Sequence, residues 1–189
     1  FISIAVALMS IALLLLLVLP MAGWIAGRKQ GGVEAIGLLG LSASPLMIGT
    51  GWFILINPFA NPFDFALLVT VLVNAMMALP FALRILVPPM RDAVQQYGRL
   101  SAMLGISGWR LWRGQIGFAA GLTGALSMGD LGVIALFADP DRVTLPLQMV
   151  RLMGAYRMDA AAGAALVLLA LSLGIFWICD KGGRWGAEA

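Results

Sequence analysis

The sequence predicts an all-α, polytopic transmembrane helix bundle with about five spans, and three observations carry that reading. First, 61% of the 189 residues are hydrophobic and only 11% are charged, against ~25% charged in an ordinary soluble domain. Second, five stretches meet the requirement of ~20 mostly apolar residues for a helix that crosses a bilayer. Third, the few basic residues gather on one side of the alternating topology that those stretches define. So much apolar surface cannot be hidden in water by a chain of this size. A soluble enzyme, a nucleic-acid binder and a disordered tail are therefore excluded.

The first span is expected at about 2–26, from Ile2 through the Leu13–Leu17 run to Ala26. It is long enough to cross a bilayer and has no basic region before it, so it does not read as a cleaved secretory signal. The second, about 35–56, contains Pro45 and several small residues. The third, about 64–87, carries Pro80 near its end. Each proline withdraws a backbone donor and predicts either a kink or a bend lining a pathway. The fourth, about 115–137, is rich in glycine: Gly117-x-x-x-Gly121 is followed by Gly124, Ala125, Ser127 and Gly129. Small residues at these spacings let helix backbones approach closely. The fifth, about 160–179, opens on the small residues Ala160–Ala165.

The connections differ in character. Residues 28–34 form a short basic turn, and 57–63 form another with two Asn-Pro steps that disfavour helix. Residues 88–114 are long and polar, and 138–159 are long and mixed, with turn signals at Asp139-Pro140 and Leu145-Pro146. Arg28, Lys29, Arg84, Arg91, Arg99, Arg110, Arg113, Lys181 and Arg184 fall on one side, and Arg142, Arg151 and Arg157 on the other. Nine against three assigns the first side to the cytoplasm. The N-terminus of this chain then lies outside and its C-terminus inside. A start at Phe1 is expected for a piece of a longer polypeptide.

With no histidine and one cysteine, an internal disulfide, a His/Cys zinc site, haem ligation by His and Ser-His-Asp or Cys-His catalysis are excluded. Cys179 reads as a packing residue. The two lysines, Lys29 and Lys181, follow no Gly-x-x-x-x-Gly pattern, so the chain has no P-loop of its own. No cofactor is expected.

Residues 91–114 are the most informative segment. Val94, Tyr97, Leu100 and Leu104 recur at helical spacing, Gly105 is placed to break the helix, and Ser107 can cap a second short helix with Trp109, Arg110, Trp112 and Arg113. A helix, a glycine break and a helix outside the membrane can dock into a cleft on a soluble partner. They can equally lie on the lipid surface with Trp and Arg among the headgroups.

This pattern resembles the permease subunits of type I ABC importers. Their cytoplasmic loop carries Glu-Ala-Ala, three residues and then Gly, and it docks on an ATPase. Aligned on Gly105, the triplet is replaced here by Arg99, Leu100 and Ser101, and the later Ile-x-Leu-Pro is missing after Ile116. The run Leu104-Gly105-Ile106-Ser107-Gly108-Trp109 fits. Tyr97-Gly98-Arg99-Leu100, the segment Leu126–Phe137 and Thr144-Leu145-Pro146 are similar to the thiamine and thiamine pyrophosphate importer permeases, which also depart from Glu-Ala-Ala. The resemblance covers roughly 33–181 and suggests the C-terminal half of a chain built from two homologous halves. It implies a leading helix and turn at 1–32, a permease core at 33–181 with its coupling loop at 88–114, and a cytoplasmic tail at 182–189.

What the resemblance implies for function is an inner-membrane transport subunit, not an enzyme. ATP hydrolysis would occur in a separate ATP-binding-cassette subunit docked at Tyr97, Arg99, Leu100, Ser101, Leu104, Gly105, Ile106 and Trp109. A periplasmic substrate-binding protein and a second permease half, fused or separate, would complete the importer. The lipid bilayer is the remaining partner, and no nucleic acid is expected. Asp139, Asp141, Arg142, Arg151 and Arg157 either face the binding protein or form a solvated loop.

Asp130 is an ionisable group within an apolar span, which suggests function. It could line the translocation pathway and meet a cation such as thiamine. Alternatively it pairs with an arginine or accepts backbone hydrogen bonds beside Gly129 and Gly132. Arg84 is expected to snorkel to the interface. Three other readings stay open: an ion-coupled secondary transporter, a permease for iron or polyamine, and a polytopic membrane enzyme. Absent histidine and scattered acids weigh against the last.

Overall fold

The computed structural model describes residues 1–27, 44–104, 109–137 and 143–185, with side chains described outside 96–104, 109–111 and 136–137. These residues form seven α-helices and one 3-10 turn, with no strand among them. In order they are α1 (Ile2–Gly27), α2 (Pro45–Ile56), the 3-10 turn (Pro62–Phe65), α3 (Ala66–Leu104), α4 (Trp109–Gly129), α5 (Gly132–Phe137), α6 (Leu145–Gly154) and α7 (Met158–Trp185). Four stretches are long and apolar enough to cross a membrane: Ile2–Gly27, Pro62–Gln95, Trp112–Ala135 and Met158–Trp185. The chain is an all-α polytopic membrane bundle.

Several expected boundaries move. Of the 35–56 stretch, residues 35–43 lie outside the described part, and the rest is the twelve-residue α2. Pro45 does not kink this helix. It occupies the first turn, where its missing N–H costs nothing. The third span does not end at 87, because α3 runs on for 39 residues through Pro80, Pro88 and Pro89. The expected polar connection at 88–114 is therefore helical at every described residue. At ~1.5 Å per residue α3 reaches ~58 Å, almost twice the ~30 Å hydrocarbon core, so it must project well beyond the bilayer. The connection at 138–159 contains α6, which starts on Leu145-Pro146. The fifth span runs from Met158 to Trp185, beyond the expected 160–179.

The core sits where α1, α3 and α4 meet. Leu14, Val18, Ala22 and Ile25 of α1 pack on Ala75, Ala78, Ala82 and Leu86 of α3 and on Ile116 and Ala119 of α4. Alanines on α3 at this interface let α1 and α3 approach. A smaller cluster joins Ala66, Val69 and Val73 of α3 to Val133 of α5, with Ile48, Trp52 and Phe53 of α2 over it.

The glycine stripe of α4 does what its spacing predicts. A methyl on Gly117 would lie 2.5 Å from the Cys179 carbonyl oxygen, and one on Gly121 would lie 2.8 Å from that of Phe176. One on Gly124 would lie 2.6 Å from Ile175 Cγ2. The helices α4 and α7 thus touch through their backbones. In lipid this contact is held by van der Waals packing rather than by expulsion of water. Elsewhere α7 is exposed and apolar, with Leu166, Leu169, Leu173 and Trp177 along it.

Short hydroxyl side chains within the helices satisfy themselves locally. Thr70 donates to the Ala66 carbonyl at 2.8 Å and Thr123 to that of Ala119 at 2.7 Å. A hydroxyl bonded to the preceding turn can sit in an apolar bundle without an orphaned donor.

Candidate functional site

Two features of the bundle carry the residues that the sequence singles out. They lie at different levels along the helices.

The first is the elbow between α3 and α4. Tyr97, Arg99, Leu100, Ser101 and Leu104 occupy the last turns of α3, and Trp109 opens α4. The described part of α3 reaches Leu104. Gly105 and Ile106, with Ser107 and Gly108, lie outside the described residues. The expected second short helix does not exist as a separate element. Trp109–Arg113 is the start of α4, continuous with the fourth span to Gly129. The reason is physical: no residue from Trp109 to Gly117 is a proline, and Trp112 already packs on the core cluster, so nothing separates this turn from the span.

The elbow emerges at a defined end of the bundle. Ile25 and Ala26 at the end of α1, Met90 of α3 and Trp112 of α4 share one cluster. Gly183 of α7 lies against the backbone of Arg113 and Gly117. Arg84, Arg91, Arg113, Lys181 and Arg184 therefore belong to one end. At the opposite end, the N–H of Leu145 donates to Ser3 Oγ at 2.8 Å, which joins the start of α1 to the start of α6. Arg151 and Arg157 are exposed there, while Asp139, Asp141 and Arg142 lie outside the described residues.

The second feature is a break in the fourth span. The expected continuous helix at 115–137 stops at Gly129 and resumes at Gly132, with Asp130 and Leu131 between. Asp130 Oδ1 accepts the Gly132 N–H at 3.0 Å. That is the backbone alternative named above, and among the described residues no ion pair to Asp130 forms. Asp130 Oδ2 is buried and has no hydrogen-bond partner among the described residues.

The first turn of α2 lies beside this break. A methyl on Gly132 would sit 3.5 Å from Pro45 Cβ and 3.7 Å from the Leu46 nitrogen. Ser44, which precedes α2, makes no side-chain cap bond. The carboxylate thus stands near the start of α2, where unpaired N–H groups favour a negative charge.

One polar constellation escapes sequence reasoning. Asn74 Nδ2 donates to Ser127 Oγ at 2.8 Å, and Ser127 Oγ donates to Ser10 Oγ at 3.3 Å. All three residues are buried. They tie α3, α4 and α1 together one turn before Asp130. The available signal was an amide in the middle of an apolar span, which seeks a partner on another helix.

Paired long spans, a projecting elbow and a broken span with an internal acid define a polytopic helical membrane protein built for more than anchoring. Over 153 residues the chain is 43% identical to the thiamine transport system permease protein ThiP of Brucella abortus (strain 2308), an alignment that covers 77% of this chain and 28% of that protein. It is 35% identical over 157 residues to the protein of the same name from Escherichia coli (strain K12), covering 79% of this chain and 29% of the other. Sulfate permease 2, chloroplastic, of Chlamydomonas reinhardtii is 28% identical over 174 residues, covering 80% and 47%. The chain is thus homologous to a segment of the thiamine transport system permeases and spans less than a third of their length. No protein-family profile matches the chain. No solved structure matches it either.

Proposed function

We propose that this chain is one half, the C-terminal one, of a permease subunit in an ATP-binding-cassette importer that moves thiamine or its phosphates across a bacterial inner membrane. The observation that carries the proposal is the α3–α4 elbow. Two helices of 39 and 21 residues carry Tyr97–Leu104 and Trp109 at their adjoining ends. Similarity to thiamine transport system permeases supports the same reading.

In this mechanism the separate ATPase docks at Tyr97, Arg99, Leu100, Ser101, Leu104, Gly105, Ile106 and Trp109. Both helices run from the elbow into the core without interruption, so a push at the elbow moves the spans as rigid rods. Closure of two ATPase subunits would rock the bundle between outward- and inward-facing states. The elbow end, with Arg84, Arg91, Arg113, Lys181 and Arg184, faces the cytoplasm. The opposite end, with Ser3, α6, Arg151 and Arg157, faces a periplasmic substrate-binding protein. A second half, fused or separate, completes the pathway. Asp130 lines it and offers its unpartnered oxygen to the cationic thiazolium.

Two measurements test this. Labelled thiamine uptake in cells with and without the full-length protein tests the substrate, and no dependence on the protein sinks thiamine while leaving the importer. Co-purification of an ATPase, lost on Leu104→Asp, tests the coupling. A complex in mild detergent that never contains an ATPase sinks the importer.

A second reading, an ion-coupled secondary transporter, is favoured by one observation. A broken span with an ionisable group at the break is the arrangement that coupling ions use. Uptake that survives ATP depletion but stops when the ion gradients collapse would select it.

A further inference from the structure

The last turns of α7 carry a basic patch at the end of an apolar face. Leu166, Leu173, Trp177, Lys181 and Arg184 recur at seven-, four-, four- and three-residue spacing, which sets them on one side of the helix. All five are exposed. The face is apolar as far as Trp177 and basic beyond it, so it changes character within one turn.

That turn lies at the level of the lipid headgroups. Lys181 Nζ is 4.6 Å from the Trp177 ring centroid and 6.0 Å from that of Trp185, both within the ~6 Å reach of a cation–π contact. Tryptophans that flank a lysine at the end of a span mark the membrane boundary. The rings hold the ammonium there from the side, and its N–H donors still need acceptors.

The charges of the patch do not balance. Asp180 is its acid, and Arg184 Nη2 and Nε already bind the two Asp180 oxygens at 3.0 and 3.2 Å. Lys181 makes no ion pair among the described residues. The surplus is therefore one positive charge, carried by Lys181. The Arg184 side chain is 66% exposed, so its remaining N–H groups can meet an acceptor beside that ammonium. The surroundings add to the surplus. Among the described side chains, the elbow end carries Arg84, Arg91, Arg113, Lys181 and Arg184 against Asp92 and Asp180.

We propose that Lys181 and Arg184 hold the phosphate of an anionic phospholipid, phosphatidylglycerol in type, in the leaflet at the elbow end. The phosphate accepts from both side chains, and the acyl chains run along Trp177, Leu173 and Leu166. A zwitterionic headgroup offers the same phosphate but brings its own cation, which the surplus charge of the patch opposes. An anionic headgroup brings none. The apolar run below the two cations selects a lipid over a free phosphate, which has nothing to lay along it. This inference does not rest on the transport reading.

The test is native mass spectrometry of the full-length protein in mild detergent with an equimolar mixture of phosphatidylglycerol, phosphatidylethanolamine and phosphatidylcholine. The expected result is retention of phosphatidylglycerol about fivefold above either zwitterion, the ratio set by one basic residue at an anionic headgroup. Lys181→Gln should lower that ratio about fivefold, and Lys181→Arg should keep it. Asp180→Asn should raise it about fivefold, because it releases Arg184 from its partner. Arg157→Gln, at the opposite end, should leave it unchanged. A thermal melt of each variant in phosphatidylcholine should match that of the unaltered protein, since the altered side chains at the patch serve the lipid and not the fold. Excess inorganic phosphate should not displace the lipid. Equal retention of the three lipids by the unaltered protein overturns the proposal. So does a preference that Lys181→Gln leaves intact, or one that Arg157→Gln lowers as much, which would reflect net charge alone. Displacement by inorganic phosphate overturns the assignment to a lipid.

Discussion

Asn74 Nδ2 donates to Ser127 Oγ at 2.8 Å across the buried interface of α3 and α4. Ser127 passes the chain of bonds to Ser10 of α1 at 3.3 Å. Three helices that could otherwise slide along apolar faces are thereby held in one register. An amide in hydrocarbon seeks any partner it can find, so its bond adds less stability than its burial suggests, because the unfolded helices in lipid also find partners. Its larger effect is on register, since only one alignment of α3 and α4 satisfies it.

A double-mutant cycle on Asn74→Leu and Ser127→Ala should therefore show a coupling of about 0.6–1.7 kcal/mol by unfolding in bicelles. Additive effects would mean that the two residues act independently. The same variants should broaden the distance distribution between spin labels on α3 and α4.

The close approach of α4 to α7 makes a second prediction. Gly117→Val places atoms where the Cys179 carbonyl and the Gly183 Cα already lie, at 2.5 and 2.8 Å from the added Cβ. Neither neighbour is a flexible side-chain end, so the helices must part. The expected cost is about 1–3 kcal/mol. Gly163→Ala, where nothing lies within 4 Å of the added Cβ, should instead be neutral or stabilising by up to about 1 kcal/mol. Equal melting temperatures for the two variants would refute this account of the interface.

The parts of the fold legible in the sequence are those set by local pattern. The unbroken apolar run of α1 and the glycine stripe of α4 both follow from short-range chemistry. The length of α3 was not legible, because residues 88–114 read as a long polar connection and Pro88 and Pro89 each remove a helical donor. In the folded chain both Pro88 and Arg84, whose carbonyl loses its donor to Pro88, are exposed at the elbow end, where water can serve that carbonyl. The break at Asp130 was half legible. Gly129 and Gly132 flank it, but the apolar residues on either side carry the helical pattern straight through. In the Ser10–Ser127–Asn74 chain only the lone amide was a signal, and its partners were not legible, since the bonded residues are 117 and 53 apart.

Asp130 allows capping and recognition to be separated. Asp130→Asn keeps an oxygen for the Gly132 N–H, so the break and the stability should persist. Asp130→Ala removes that acceptor and should cost about 0.5–2 kcal/mol, the range for a lost cap. If the carboxylate meets a cationic substrate, the Asn variant should lower labelled thiamine uptake by about tenfold, the loss of one favourable charge contact. Uptake equal to that of the unaltered protein, with stability also unchanged, would reduce Asp130 to a helix cap.

The turn from α6 to α7 offers a test of backbone strain. Tyr156 has φ 56°, a left-handed conformation that side chains disfavour. The surrounding bonds explain why it is held there. The Tyr156 N–H donates to the Met153 carbonyl at 3.1 Å, and the Arg157 N–H reaches back to that of Leu152 at 3.0 Å. This is the Schellman pattern, in which the residue after the cap must turn left-handed and glycine usually stands there. The Tyr156 side chain is 88% exposed, so little packing is lost by removing it. Tyr156→Gly should therefore stabilise the turn by about 1 kcal/mol and raise the melting temperature. A lower melting temperature would mean that the ring contributes more, as an interfacial anchor at the Ser3 end, than its backbone strain costs.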